Sequence, residues 1–147
     1  MTEMRIDLYS VSHGYGFCQQ ADLRVFFRIE DFSRESPSDP LPICGERVMV
    51  EQLVQGAKSP QAASLHRMTQ PQRLRGRVKS FDSNKGWGFI EHGDDLYFLH
   101  RSDQSVAFLP IIGSDVTFYK GVRRGKPRAC YVLPASGEDP HRERVWK

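Results

Sequence analysis

The residues whose types and spacing could do chemistry lie in two closely linked runs, Lys85-Gly86-Trp87-Gly88-Phe89-Ile90 and Leu96-Tyr97-Phe98-Leu99-His100. Both runs alternate, and a β-strand sends alternate side chains to opposite faces. Trp87 and Phe89 then share one face, as do Phe98 and His100, while Ile90, Tyr97 and Leu99 supply the other. Packing every ring into a core is the plain alternative. The apolar inner face is already complete without them, however, and Lys79, Phe81 and Lys85 add charge and another ring outside. A basic, aromatic face suits unpaired bases, which stack on rings while cations hold the phosphates. Catalysis is not expected. No nucleophile stands in a local pattern with a base, the carboxylates are scattered at turns, and Gly86-Trp87-Gly88 opens a strand rather than a phosphate-binding helix. The histidines are too dispersed for a metal, and no cofactor is expected.

With 147 residues, the chain fits one domain or two small ones, and 27% charged residues with a net charge of +3 indicate neither disorder nor a strongly basic protein. No apolar run approaches the ~20 residues of a membrane helix, and Glu3 and Asp7 near the N-terminus speak against a secretory signal. The three cysteines, Cys18, Cys44 and Cys130, are odd in number and lack a C-x-x-C pair. A disulfide framework or a zinc site is therefore not expected, and a reducing cytoplasm is. Residues 1–68 hold seven Lys/Arg against nine Asp/Glu, a balance of −2, whereas residues 69–147 hold fourteen against nine, a balance of +5. Such asymmetry points to two units with unequal jobs.

A shift of 72 positions exposes an internal repeat. Gly86-Trp87-Gly88-Phe89 falls on Gly14-Tyr15-Gly16-Phe17, Phe81 on Tyr9, and Tyr97-Phe98-Leu99-His100 on Val25-Phe26-Phe27-Arg28. Further on the offset drops to 68, where Gly113-Ser114-Asp115-Val116 meets Gly45-Glu46-Arg47-Val48. The middle loop of the first copy is thus four residues longer, and it carries Pro37, Pro40 and Pro42. Each copy reads as five short strands between Gly, Pro and Asp/Asn turns. Those of the first lie near 4–11, 14–20, 23–29, 46–54 and 61–67, and those of the second near 74–82, 86–92, 95–100, 114–121 and 128–133. Closing each set into a small barrel removes exposed edges. The predicted organisation is a domain over 1–68, a linker over 69–73, a domain over 74–134 and a tail over 135–147.

With Lys85-Gly-Trp-Gly-Phe-Ile and Tyr97-Phe-Leu-His100 in this arrangement, the second copy resembles the cold-shock domain family, whose two ribonucleoprotein motifs have the form K-G-F/Y-G-F-I and V-F-V-H-F. Gly76-Arg-Val78-Lys79 resembles that family's opening strand and Asp82-Ser-Asn84 the turn after it, while in the first copy Lys58-Ser-Pro60-Gln-Ala62-Ala63 resembles its closing strand entry. The resemblance implies an all-β chain of two tandem five-stranded oligonucleotide-binding (OB-fold, cold-shock-like) barrels, the first degenerate. It also implies binding of single-stranded RNA or DNA. Departures accompany it: Ser80 and Leu8 stand where the family has Trp, Arg101 follows His100 where it has Phe, and the first copy puts His13 and Arg28 at the places of Lys85 and His100.

The expected contacts in the second copy are Lys79, Phe81, Lys85, Trp87, Phe89, Phe98 and His100, with Phe108 either capping the rings or pinning its loop. Tyr9, Tyr15, Phe17 and Phe26 are the corresponding platforms of the first copy. Arg123, Arg124, Lys126 and Arg128 form a basic turn that is either solvated or a backbone contact, and Cys18 is a small buried hydrophobe. The expected function is non-enzymatic binding of single-stranded nucleic acid, as an RNA chaperone or a regulator of transcription or translation. The alternative is an adaptor whose first domain binds a polymerase, nuclease or ribosome while the second holds nucleic acid. No membrane partner is expected.

Overall fold

A computed structural model of the chain describes residues 1–101 and 110–135. Phe108 and the tail from residue 136 lie outside the described residues. The chain divides into two compact units, Met1–Pro71 and Gln72–Lys147. Each is an all-β barrel with a ring of five strands in OB-fold order, to which the first adds a short sixth strand, and no α-helix occurs among the described residues.

In the first unit β1 (Thr2–Ser10), β2 (Tyr15–Gln20) and β3 (Leu23–Arg28) form a meander, and a 3-10 turn (Ile29–Asp31) leads into the two-residue β4 (Phe32–Ser33). The hairpin of β5 (Arg47–Gln55) and β6 (Pro60–Arg67) follows. β1 pairs with both β2 and β5, and β3 closes the ring by running parallel to β6, with Phe26 opposite Gln61. In the second unit β7 (Arg73–Asp82), β8 (Trp87–His92), β9 (Asp95–His100), β10 (Asp115–Arg123) and β11 (Lys126–Pro134) repeat the plan. Its closure is the parallel pairing of β9 and β11, with Phe98 opposite Arg128.

The repeat read from the sequence is repeated hydrogen bond by hydrogen bond. Gly14 N–H donates to Ser10 O and Ile29 N–H to Gly14 O, and 72 residues later Gly86 N–H donates to Asp82 O and Arg101 N–H to Gly86 O. Gly45 N–H reaches Ile6 O as Gly113 N–H reaches Val78 O, the glycines now 68 apart and the carbonyls still 72. The five strands expected in each copy are all present. The 3-10 turn and β4 were not expected, and the last hairpin is tighter than expected. β10 runs to Arg123 and β11 resumes at Lys126, so the turn is Arg124-Gly125 alone, with φ of 53° and 77°. Positive φ at both residues matches the right-handed twist of the flanking strands.

Alternation builds the cores. Met4, Ile6, Cys18, Val25, Phe27, Val48, Val50, Ala62 and Leu65 fill the first barrel, and Val78, Ile90, Tyr97, Leu99, Val116, Phe118, Ala129 and Val132 the second. Burial pushes the Cys18 thiol up to about 12, so it stays protonated and behaves as a hydrophobe, as its place opposite Val25 requires. The four-residue insertion of the first unit is clamped by Arg67. Its guanidinium makes a two-pronged pair with Glu46 (2.9 Å at each prong), donates to Pro40 O and Leu41 O, and lies 5.1 Å from the Phe32 ring centre.

Both barrels also depend on a close approach. Between Ile6 and Leu8, and again between Val78 and Ser80, the first strand bulges. A Cβ on Gly16 would lie 2.2 Å from Leu8 O, and one on Gly88 would lie 2.0 Å from Ser80 O. Gly88→Ala is therefore expected to destabilise the second unit by about 1–3 kcal/mol or more through overpacking against backbone. A urea titration followed by Trp87 fluorescence in a Trp146→Phe background checks this, and an unchanged midpoint would contradict it.

Candidate nucleic-acid interface

The turn before β8 is set by Asp82. Its carboxylate accepts from Asn84 N–H (2.9 Å) and Lys85 N–H (3.1 Å), an arrangement a short acceptor side chain makes naturally. Arg101 braces the same turn, donating to Ser83 O at 3.0 Å. Arg101 thus has a structural task, one that no pattern in the sequence announces. In the first copy Ser10 takes the part of Asp82, accepting from His13 N–H and bonding to His13 Nδ1 at 2.8 Å.

β8 and β9 pair Trp87 with His100 and Phe89 with Phe98. Opposed residues point to one face of a sheet, so all four rings converge outside the barrel. Ring centres lie 6.2 Å apart for Trp87 and Phe89, 6.0 Å for Trp87 and Phe98, and 5.9 Å for Phe89 and Phe98. His100 is tilted 32° against Phe98 at 6.4 Å. Trp87 is 38% exposed although its strand neighbours Gly88 and Ile90 are buried. Cations stand at the edges of the cluster: Lys85 Nζ lies 5.8 Å from the Trp87 ring centre and the Arg128 guanidinium 5.8 Å from that of Phe98. Arg128 reaches the rings because β11 closes the barrel against β9. Its part in the basic turn could be read from the sequence, but its place beside Phe98 could not.

Phe81 and Tyr9 do not join these faces, contrary to expectation. The extra residue at each bulge, Lys79 or Asp7, shifts the alternation by one. Ser80 then pairs with Phe89 on the outer face and Phe81 with Gly88 on the inner one. Phe81 is half-buried against the second core, and Tyr9 stacks on Phe27 at 6.0 Å against the first. Burial raises the Tyr9 hydroxyl above its ordinary pKa. Lys79 and Lys85 are exposed as expected.

The first unit retains an outer trio. Tyr15 and Phe26 centres are 5.3 Å apart, Phe17 and Phe26 5.7 Å, and Tyr15 and Phe17 6.4 Å, with Tyr15 38% exposed. Its cations are Arg24 and Arg28, not lysines, and one of them is engaged. The Arg24 guanidinium lies 4.4 Å over the Phe17 ring while paired with the Asp7 carboxylate. In the second copy these positions hold Leu96 and Lys79, so Phe89 carries no such cover. Lying on the ring, the Arg24 side-chain protons are expected to show upfield NMR shifts. Phe17→Leu should abolish the shift and Asp7→Asn should weaken it; Arg24 resonances at random-coil positions would contradict the arrangement.

No group of three or more potential metal-ligating side chains occurs among the described residues, and no described helix is long and apolar enough to cross a membrane. No family model matches the chain, and no curated protein matches it. Among solved structures, one that matches is described as "drosophila Unr CSD456", with a TM-score of 0.38 and 19% identity over 92% of this chain. This chain spans 63% of that one. At that level of superposition the likeness adds nothing to what strand order and ring geometry establish.

Proposed function

We propose that the protein binds single-stranded nucleic acid through the outer face of β8 and β9, as an accessory factor and not as an enzyme. The observation that carries this reading is the outward-facing ring cluster of exposed Trp87 and half-buried Phe89, Phe98 and His100 on a barrel whose core is complete without it. Bases stack on the rings at about 1–3 kcal/mol each, and Lys79, Lys85 and Arg128 attract the phosphates. The resemblance of Lys85–Ile90 and Tyr97–His100 to the cold-shock motifs supports the same reading. Stacking of this kind tolerates many sequences, which suits remodelling of RNA structure or control of transcription or translation.

The two units divide the work unequally. The second carries the positive balance, whereas the first has Phe17 under Arg24 and an acidic residue, Asp7, at the place of Lys79. Phosphate attraction supplies most nonspecific affinity, so the second unit is the principal binder.

In a Trp146→Phe background, oligothymidylate or oligouridylate should quench Trp87 fluorescence while duplex binds much more weakly. Phe89→Ala and Phe98→Ala should each cost about 1–3 kcal/mol of binding, and equal affinity for duplex would refute stacking. Affinity should fall with salt at a logarithmic slope of about −0.7 per phosphate neutralised, a slope that Lys85→Ala flattens. A polypeptide of residues 72–147 should bind nearly as well as the whole chain, and one of residues 1–71 at least about tenfold more weakly at physiological salt. Equal affinity of the two halves, measured by fluorescence anisotropy, would refute the division.

A further inference from the structure

The outer face of β7 carries three arginines that the ring site does not account for. Arg73, Arg75 and Arg77 alternate along the strand opposite Tyr119, Thr117 and Asp115 of β10, and Lys79 follows at the bulge. Arg73 is held in place: its Nε donates to Thr117 Oγ1 at 2.8 Å and its guanidinium lies 4.9 Å from the Tyr119 ring centre. The side chains of Arg75 and Arg77 are 67% and 60% exposed. Their only acidic neighbours by pairing or contact among the described residues are Asp115, at 3.6 and 3.5 Å, and Glu91, opposite Arg77. Exposed pairs of that kind contribute little, so a stronger anion can displace them.

The repeat provides a control within one chain. At the places of Arg73, Arg75, Arg77 and Lys79 the first copy has Met1, Glu3, Arg5 and Asp7, so a row of four positive charges stands against a net −1. β1 nevertheless bulges at the same point and closes the same barrel. The fold does not require the cations.

We propose that this row is a second nucleic-acid contact, a track for the phosphodiester backbone that continues the ring site and lengthens the strand it holds. The proposal rests on the ring face binding single strands. Ser80 pairs with Phe89, so the row begins beside the cluster and leads away from it. Alternate residues of a strand stand about 7 Å apart, the order of the spacing between successive phosphates on an extended strand. Arginine suits the task because its planar fork meets phosphate oxygens in pairs.

The test compares the full chain with an Arg75→Gln/Arg77→Gln variant on oligothymidylates of four and ten nucleotides, read by Trp87 quenching in the Trp146→Phe background. The four-nucleotide strand covers the rings alone and should bind both proteins equally. The ten-nucleotide strand should bind the variant about tenfold more weakly at 0.15 M salt, with a salt slope smaller by about 1.4, as two lost phosphate contacts require. A Phe98→Ala control should weaken both lengths. If the wild type binds both lengths and the variant loses nothing on the longer one, the track is refuted and the ring site stands. If neither length quenches Trp87 in the wild type, the ring reading fails and the track falls with it.

Discussion

Each barrel depends on one contact, a glycine of the second strand lying against the carbonyl of a bulged first strand. The first strand must pair with the second on one edge and with the opening strand of the last hairpin (β5 or β10) on the other, which a straight strand cannot do in so small a ring. The bulge bends it, and only a residue without a Cβ leaves room for the carbonyl that the bend drives inward at Gly16 and Gly88. The same extra residue inverts the alternation beyond it. That inversion sends Tyr9 and Phe81 toward the cores and leaves the outer faces to rings from the second and third strands.

This constraint also explains what could and could not be read from the sequence. The longer strands were legible because buried and outward residues alternate strictly between turn residues, and the ring trio because Trp87, Phe89 and Phe98 keep that alternation. The turned-in rings were not legible, since a bulge leaves no local mark: its extra residue is an ordinary Lys79 or Asp7. β4 is too short to show a period, and it exists only because it runs parallel to β6. The clamp by Arg67 joins residues more than twenty positions apart, so nothing near Arg67 in the chain foretells it. The basic turn after β10 was expected, but its tightness was not, because Arg is an uncommon first residue for a turn with positive φ at both centres.

The two copies show how far one scaffold can be kept while its surface is rewritten. Hydrogen-bonded turns, bulge, glycine contact and closure are preserved on either side of the insertion, while two of the four residues facing outward from the first strand change sign, Glu3 for Arg75 and Asp7 for Lys79. Core volume is redistributed between the copies: Cys18 stands for Ile90 and Phe27 for Leu99, and where Met4 gives way to Gly76, Val50 gives way to Phe118. Packing tolerates such swaps when the total volume is kept, whereas outward charges are free to follow whatever the surface meets. The charge difference between the units is therefore concentrated where a partner would feel it.

The pairing of Arg24 with Asp7 over Phe17 has a meaning for the binding equilibrium as well. A ring covered by a tethered guanidinium is a platform whose competitor is always present, at an effective concentration no free ligand matches. A base can stack there only during the fraction of time in which Arg24 has swung away, and the apparent dissociation constant rises in inverse proportion to that fraction. Weak binding at that position would then reflect occupancy by the chain itself rather than a poor surface, and releasing Arg24 from Asp7 would be enough to reopen it.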